Sequence, residues 1–205
     1  MKRSSEKKER SLGMKLFLKG DRCNSPKCVM IRRPYKPGIH GKGRHRALSE
    51  YGQQLLEKQR IKASYGLKET QMRNIFKKAL SKTGATVGEI IIKSLERRLD
   101  NAIFRLGFAS SRVVARQLIN HGHFSVNGRK ITIPSFQVKP NDIISIRPSS
   151  ANLLIFKNLS DIIKKYEAPD WLAIDKEKIE GLVVSLPKDI EMPFDINLVV
   201  DYYSR

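Results

Sequence analysis

The chain is short of cysteine, short of acid, and without any long apolar run. With 2 cysteines in 205 residues it has no disulfide framework, and such scarcity fits a reducing compartment, the cytosol by default. No stretch approaches the roughly 20 apolar residues of a membrane-spanning helix, so no membrane is expected among its partners. The opening run, Met1-Lys2-Arg3-Ser4-Ser5-Glu6-Lys7-Lys8-Glu9-Arg10, lacks the apolar centre of a secretory leader, and Glu6 and Glu9 argue against an organelle transit peptide. Catalytic signatures are missing as well: there is no glycine-rich phosphate loop, no nucleophile elbow and no H-E-x-x-H pair. Carboxylates stand singly or gather in the last quarter. Asp100, in a helical stretch, reads as the partner of a neighbouring arginine or of a helix start. Neither an enzyme nor a cofactor is expected.

What is present in excess is positive charge. Forty basic residues stand against twenty acidic ones, a net +20. A field of that size concentrates polyanions, of which nucleic acid is the usual one. The excess is uneven: residues 1–80 carry 22 basic and 6 acidic side chains, whereas residues 151–205 carry 7 and 10. The front of the chain is therefore expected to track phosphates. The acidic, apolar-rich end suits packing on the protein's own body or on another basic protein.

Organisation follows from pattern. Residues 1–46, rich in Lys, Arg, Gly and Pro with an apolar run only around Leu16 to Leu18, read as an extended basic arm that orders against its partner. Residues 47–94 read as a helical body. There Tyr51, Leu55, Ile61 and Leu67, then Ile75, Phe76 and Leu80, predict two or three helices, with Gly52 and Gly66 as interruptions. Residues 81–88 read as a loop, and Glu89 to Leu106 as one long helix. Residues 95–150 form a small unit of their own, and 151–205 an acidic C-terminal segment packing back on the body. In that last segment Asn152 to Tyr166 is a helix candidate, while Val183-Val184 and Leu198-Val199-Val200 are β-rich enough to predict short strands. No repeat appears at solenoid periods. The fold class is α+β: a helical body with an inserted small unit of two helices plus a short hairpin and strands.

The inserted unit is the most specific part. Leu95, Leu99, Ile103 and Leu106 recur at three- and four-residue steps and mark one buried stripe; Arg97, Arg98 and Arg105 lie off it, where they can face a partner. Ser110 or Ser111 caps a second helix whose apolar face is Val114, Leu118 and Ile119, and Gly122 closes it. Arg112 and Arg116 stand one turn apart and point the same way. Asn127-Gly128 supplies the positive φ angles of a two-residue hairpin turn, followed at once by Arg129 and Lys130. Ile131 to Ile133, Gln137-Val138 and Ile143 to Ile146 read as further short strands. Such a unit is a docking surface, not a catalytic pocket.

These residues resemble the RNA-binding unit of the S-four family of small-ribosomal-subunit proteins. Other segments resemble that family in its order: Arg32-Arg33-Pro34-Tyr35 with Pro37-Gly38-Ile39-His40-Gly41, Ser49-Glu50-Tyr51-Gly52-Gln53-Gln54-Leu55 with Glu57-Lys58-Gln59-Arg60, Gln71-Met72-Arg73-Asn74-Ile75-Phe76, and the end Asp201-Tyr202-Tyr203-Ser204-Arg205. The resemblance runs from about residue 15 to the last residue. It implies a structural protein of the small ribosomal subunit, cytoplasmic, that binds a multi-helix junction in the 5′ domain of small-subunit rRNA early in assembly. It also implies a neighbouring protein of the S-five family, a place near the mRNA entry path and an influence on decoding accuracy. By resemblance and position the RNA contacts are Arg105, Arg112, Arg116, Gln117, Asn127, Arg129 and Lys130 in the small unit. In the body they are Gln54, Lys58, Arg60 and Arg73, and in the arm Arg32, Arg33, Lys36, His40 and Arg44. Arginine suits such work because its planar fork engages phosphate and stacks on bases. Three residues have plainer readings beside these: Asn127 as a turn residue only, and the pair His121 and His123, which either meets RNA or caps the last helical carbonyls.

Alternatives from other classes are an RNA-modifying enzyme and a free translational regulator built on the same unit. The first needs a separate β-rich catalytic domain for which the chain has no room. The second carries little beyond the unit itself, unlike this chain.

Cys23 and Cys28 followed by His40 and His45 approach a Cys₂His₂ zinc spacing. Pro34, Pro37, Gly38 and Gly41 rule out the helix of a ββα finger. Some members of the resembled family bind zinc through four cysteines, the second pair in a segment like Cys23 to Cys28; here Glu6 and Glu9 fall about where the first pair would stand. Cys23 and Cys28 thus read as half of a lost site, and no metal is expected.

Overall fold

The computed structural model describes residues 5–44, 46–81, 86–188, 190 and 192–204. The chain divides into two compact units, Met1–Ile91 with Glu191–Arg205, and Ile92–Ile190.

In the first unit, the stretch expected to be extended is folded over its described part. It holds α1 (Ser5–Leu12), α2 (Asp21–Asn24), α3 (Val29–Arg32) and a 3-10 turn at Ile39–Lys42. The cause is local and polar. One carboxylate oxygen of Glu9, a residue only 1% exposed, accepts the backbone N–H groups of Leu16 at 3.1 Å and Leu18 at 3.0 Å. That turns the chain back on α1 and lets Leu16, Leu18, Cys23 and Cys28 bury themselves. Arg10 then pins the following loop, donating to the Tyr35 carbonyl at 2.9 Å and lying 4.8 Å over its ring.

The body holds α4 (Glu50–Ser64) and α5 (Glu69–Leu80). The Ser49 hydroxyl caps α4 by accepting from Gly52 N–H at 3.3 Å, and Ile61, Met72, Phe76 and Ala79 are buried.

The second unit begins within α6 (Val87–Glu96) and continues with α7 (Leu99–Arg105). The single helix expected from Glu89 to Leu106 is broken at Arg97-Arg98 because a distant strand-like segment takes over the backbone there. Val138 N–H donates to the Arg97 carbonyl at 2.9 Å, Leu99 N–H donates to that of Phe136 at 2.8 Å, and Arg98 bridges Gln137. The stripe Leu95, Leu99, Ile103 and Leu106 is nonetheless fully buried. α8 (Arg112–Asn120) is capped by Ser111, whose hydroxyl accepts from Val114 N–H. It ends with Gly122 at φ 75°, where Gly122 and His123 N–H return to the Ile119 and Leu118 carbonyls, a Schellman closure.

β1 (Phe124–Val126) and β2 (Arg129–Lys130) form the expected hairpin, with Asn127 at φ 51° and Gly128 at φ 76°. β3 (Ile143–Ile146) pairs with β1. Ile131 to Ile133 forms no strand, and Gln137 forms an isolated bridge to Arg98 rather than a strand. The expected helix from Asn152 to Tyr166 reduces to a 3-10 turn at Leu154–Phe156 and α9 (Leu159–Lys164), after another 3-10 turn at Pro148–Ser150. β4 (Leu172–Asp175) and β5 (Glu180–Val183) complete an antiparallel sheet in the order β2-β1-β3-β5-β4. Here the expected C-terminal segment is redrawn. The edge of β3 is filled by β5, in register Ile143↔Leu182 and Ile144↔Gly181, so residues 151–190 belong to the small unit. An open edge is satisfied this way. The unit's core unites Leu99, Ile103 and Leu106 with Ile119, Phe124, Ile144, Phe156, Trp171 and Val183.

The chain closes in the first unit with α10 (Ile196–Ser204), where Leu198-Val199-Val200 was expected to be a strand. Asp195 decides otherwise: its Oδ1 accepts from Asn197 N–H at 3.0 Å and Leu198 N–H at 3.4 Å. The helix so started buries Ile196 and Val199 and packs on α4 and α5.

Candidate RNA interface

The α7–α8 pair carries its guanidiniums on buried acid. Glu96 is fully buried; its Oε2 accepts from Arg105 Nε at 3.1 Å and from Asn101 Nδ2 at 2.9 Å. Asn101, also fully buried, turns its Oδ1 to Arg112 Nε at 2.8 Å, and the Arg112 guanidinium lies 4.7 Å over the Phe104 ring. Asp100, 3% exposed, accepts from Arg98 Nε and Nη2 at 3.0 and 2.8 Å and from Arg116 Nη2 at 2.8 Å. Arg98, expected on the surface, is therefore an interior residue, 3% exposed: a buried carboxylate at this depth requires a cation beside it. The side chains of Arg105 and Arg116 stay 31% and 30% exposed, and Arg112 is half-buried. Asp100 pairs with arginines, as its position in the sequence indicates.

Gln117, Arg129 and Lys130 are exposed. Asn127 is exposed too but is committed to the fold: its Oδ1 accepts from Ile143 N–H at 2.8 Å and its Nδ2 donates to Asp142 at 2.9 Å. The turn reading accounts for it. Lys130 lies across the end of α8, so that a Cβ placed on Gly122 would come within 2.3 Å of its Cε. His123 faces inward, its Nδ1 3.0 Å from the Ser150 hydroxyl. Burial, helped by the charges of His121 and Arg147, holds its basicity below that of an ordinary histidine. Arg147, which donates to the Gly122 carbonyl at 3.3 Å, adds a cation here that the sequence pattern did not single out.

The body residues fare unequally. Arg73 is exposed on α5. Gln54, 1% exposed, donates to Glu50 within α4. Lys58, 5% exposed, donates to Glu69 at 2.9 Å and lies 4.2 Å over the Tyr202 ring. Burial works against the Lys58 charge, but Glu69 and Tyr202 more than offset it and raise its pKa above the usual lysine value. Gln54 and Lys58, expected among the RNA contacts, are thus buried in the protein by itself, on one face of α4. Arg60 is half-buried, pairing with Glu57 and donating to the Leu12 carbonyl at 3.1 Å, which ties α4 to the end of α1.

In the arm, Arg32, Arg33, Lys36, His40 and Arg44 are all exposed. Tyr35 between them is flanked by Arg10 and by Lys42, whose ammonium stands 5.2 Å from the ring centre; neither cation was singled out by motif. Cys23 and Cys28 are free and buried, and burial raises the Cys23 thiol pKa. Glu6 is paired with Arg22 at 3.1 Å, and Glu9 is occupied by its two backbone donors. Among the described residues no group of three or more metal-ligating side chains comes together; His45 lies outside them.

Two family models cover most of the chain: the ribosomal protein S4/S9 N-terminal domain matches residues 1–96, and the S4 domain matches residues 97–144. The first begins ahead of residue 15, where the motifs place the start of the resemblance. Among whole proteins, the chain is 48% identical over 195 residues to the small ribosomal subunit protein uS4 of Thermoanaerobacter sp. (strain X514), covering 94% of this chain and 93% of the relative. It is 50% identical to that of Syntrophomonas wolfei and 46% identical to that of Thermus thermophilus, with the same coverage. With a buried acidic scaffold presenting arginines where the S4 domain matches, and relatives alike along nearly their whole length, the chain belongs to the uS4 family of small ribosomal subunit proteins.

Proposed function

We propose that this protein is a primary assembly protein of the small ribosomal subunit, binding a multi-helix junction in the 5′ domain of small-subunit rRNA. Its family consists of ribosomal structural proteins rather than enzymes, and its working place is the subunit itself, in the cytoplasm. The observation that carries the reading is the set of partly exposed arginines Arg105, Arg112 and Arg116, in the same unit as the exposed Gln117, Arg129 and Lys130. Folded RNA is recognised mainly by shape and by phosphate and 2′-hydroxyl contacts, and a surface of fixed arginines suits that task better than a pocket for a single base. In the other unit, the exposed arm residues Arg32, Arg33, Lys36, His40 and Arg44 and the body's Arg73 offer phosphate contacts of their own. A neighbouring protein of the S-five family, a place near the mRNA entry path and a contribution to decoding accuracy belong to the same reading by family resemblance. Equilibrium binding to a 5′-domain rRNA fragment, titrated with salt against an unrelated structured RNA, tests it. Preference for the fragment with a steep loss of affinity as salt rises is the expected result; equal affinity for both RNAs overturns the junction-specific reading.

A further inference from the structure

We propose that Glu96, Asp100 and Asn101 are positioning residues, fixing the guanidiniums of Arg105, Arg116 and Arg112 so that geometry, rather than charge alone, carries the preference for one folded RNA. The inference rests on the rRNA reading above and names what makes that surface selective. Three observations carry it.

The anchors are interior groups: Glu96 and Asn101 are fully buried and Asp100 is 3% exposed. Neutralising Asp100 needs only Arg98, which already meets both of its oxygens. Yet Asp100 also takes Arg116, and Glu96 takes Arg105, each arginine being about a third exposed. One side of each guanidinium is thus held from within while the side chain as a whole stays partly exposed.

Asn101 links the two halves of the arrangement. Its amide donates to the Glu96 carboxylate at 2.9 Å while its carbonyl oxygen receives Arg112 at 2.8 Å, and the Phe104 ring supports that guanidinium from below. A side chain already held in one orientation loses less freedom on binding, and a planar fork held so fits only phosphates in matching places. Around these anchors Arg98, Arg105 and Arg116 meet the two carboxylates, and Arg112 meets the amide oxygen of Asn101.

The test uses the full chain and variants that leave its charge unchanged: Asn101→Ala, Arg112→Lys and Arg116→Lys. Each binds the 5′-domain rRNA fragment and an unrelated structured RNA of equal length, with unfolding midpoints measured in parallel. The expected result is a loss of about tenfold in preference for the fragment, through loss of preorganisation, with the salt slope unmoved because no charge has changed. Asn101→Ala combined with Arg112→Lys should lose little more than either alone. A merely structural role predicts a lower unfolding midpoint and an unchanged preference in the folded protein, and that overturns the inference. Should Asn101→Ala fail to fold, the two lysine variants decide it, and full preference in both overturns it. If the unaltered protein itself shows no preference for the fragment, the rRNA reading falls instead.

Discussion

Asp100 holds Arg98 and Arg116 on one carboxylate at the centre of the small unit, and the consequence for stability is asymmetric. A buried ion pair adds little over a well-packed apolar pair, but removing one partner strands the other charge. Arg98 is 3% exposed and has no route to water without disturbing the α6–α7 break. Asp100→Ala is expected to cost about 3–5 kcal/mol, read as a lowered urea midpoint. Glu69 illustrates the milder case. Burial pushes its pKa up, but hydrogen bonds from Lys62 and Lys58 prevail and lower it from 4.5 to about 2. A carboxylate with a depressed folded pKa stabilises the fold above its unfolded pKa, and that contribution fades as pH falls from about 4.5 towards 2. Because the Glu69 side chain is 45% exposed, solvent screening limits the effect to under about 1 kcal/mol. Stability curves measured from pH 5 to pH 2 should therefore differ between the protein and Glu69→Gln by a small amount that vanishes at the acid end.

At the scale of elements, the sheet meets α7 through a glycine. A Cβ on Gly181 of β5 would stand 2.3 and 2.8 Å from the two methyl carbons of Leu106 and 3.1 Å from its Cγ, and Leu106 is fully buried, so it has nowhere to move. Gly181→Ala is expected to destabilise the unit by about 1–3 kcal/mol through overpacking, again seen in the urea midpoint. Contacts of this kind mark the boundary of what the sequence discloses. Ser111 as a cap, Gly122 as a helix end and Asn127-Gly128 as a hairpin turn are legible because each acts on backbone a few residues away. The break at Arg97-Arg98 is set by Phe136 and Val138, and the fate of residues 172–183 by the open edge of β3; neither has a local signature. Leu198-Val199-Val200 has strand composition, yet the cap from Asp195 and the packing of α10 on α4 prevail. The candidate site follows the same division. Arg112 and Arg116 fall on one helix face by spacing alone. The burial of Gln54 and Lys58 depends on partners such as Tyr202 that no local pattern announces, and the roles of Glu96 and Asn101 emerge only when α6, α7 and α8 are brought together.

At the scale of the whole molecule, net charge and placed charge make separable contributions. The +20 of the chain draws any polyanion, and each phosphate neutralised by a lysine or arginine adds to the salt dependence by counterion release. The exposed arm cations Arg32, Arg33 and Lys36 stand on the surface, and among the described residues none of them is held by a buried carboxylate as Arg105 is by Glu96 and Arg116 by Asp100. Their contribution should be mostly charge. The triple variant Arg32→Ala, Arg33→Ala and Lys36→Ala is therefore expected to weaken binding to the rRNA fragment and to an unrelated RNA by a similar factor. It should also flatten the slope of log affinity against log salt by about one for each contact removed. That pattern is the reverse of the one expected for the charge-neutral changes at Asn101 and Arg112, where preference falls and slope stays. Binding isotherms for both RNAs at several salt concentrations separate the two. If the arm variant loses preference without losing slope, its arginines read shape as the small unit does, and the division between a charged tether and a shaped face is wrong.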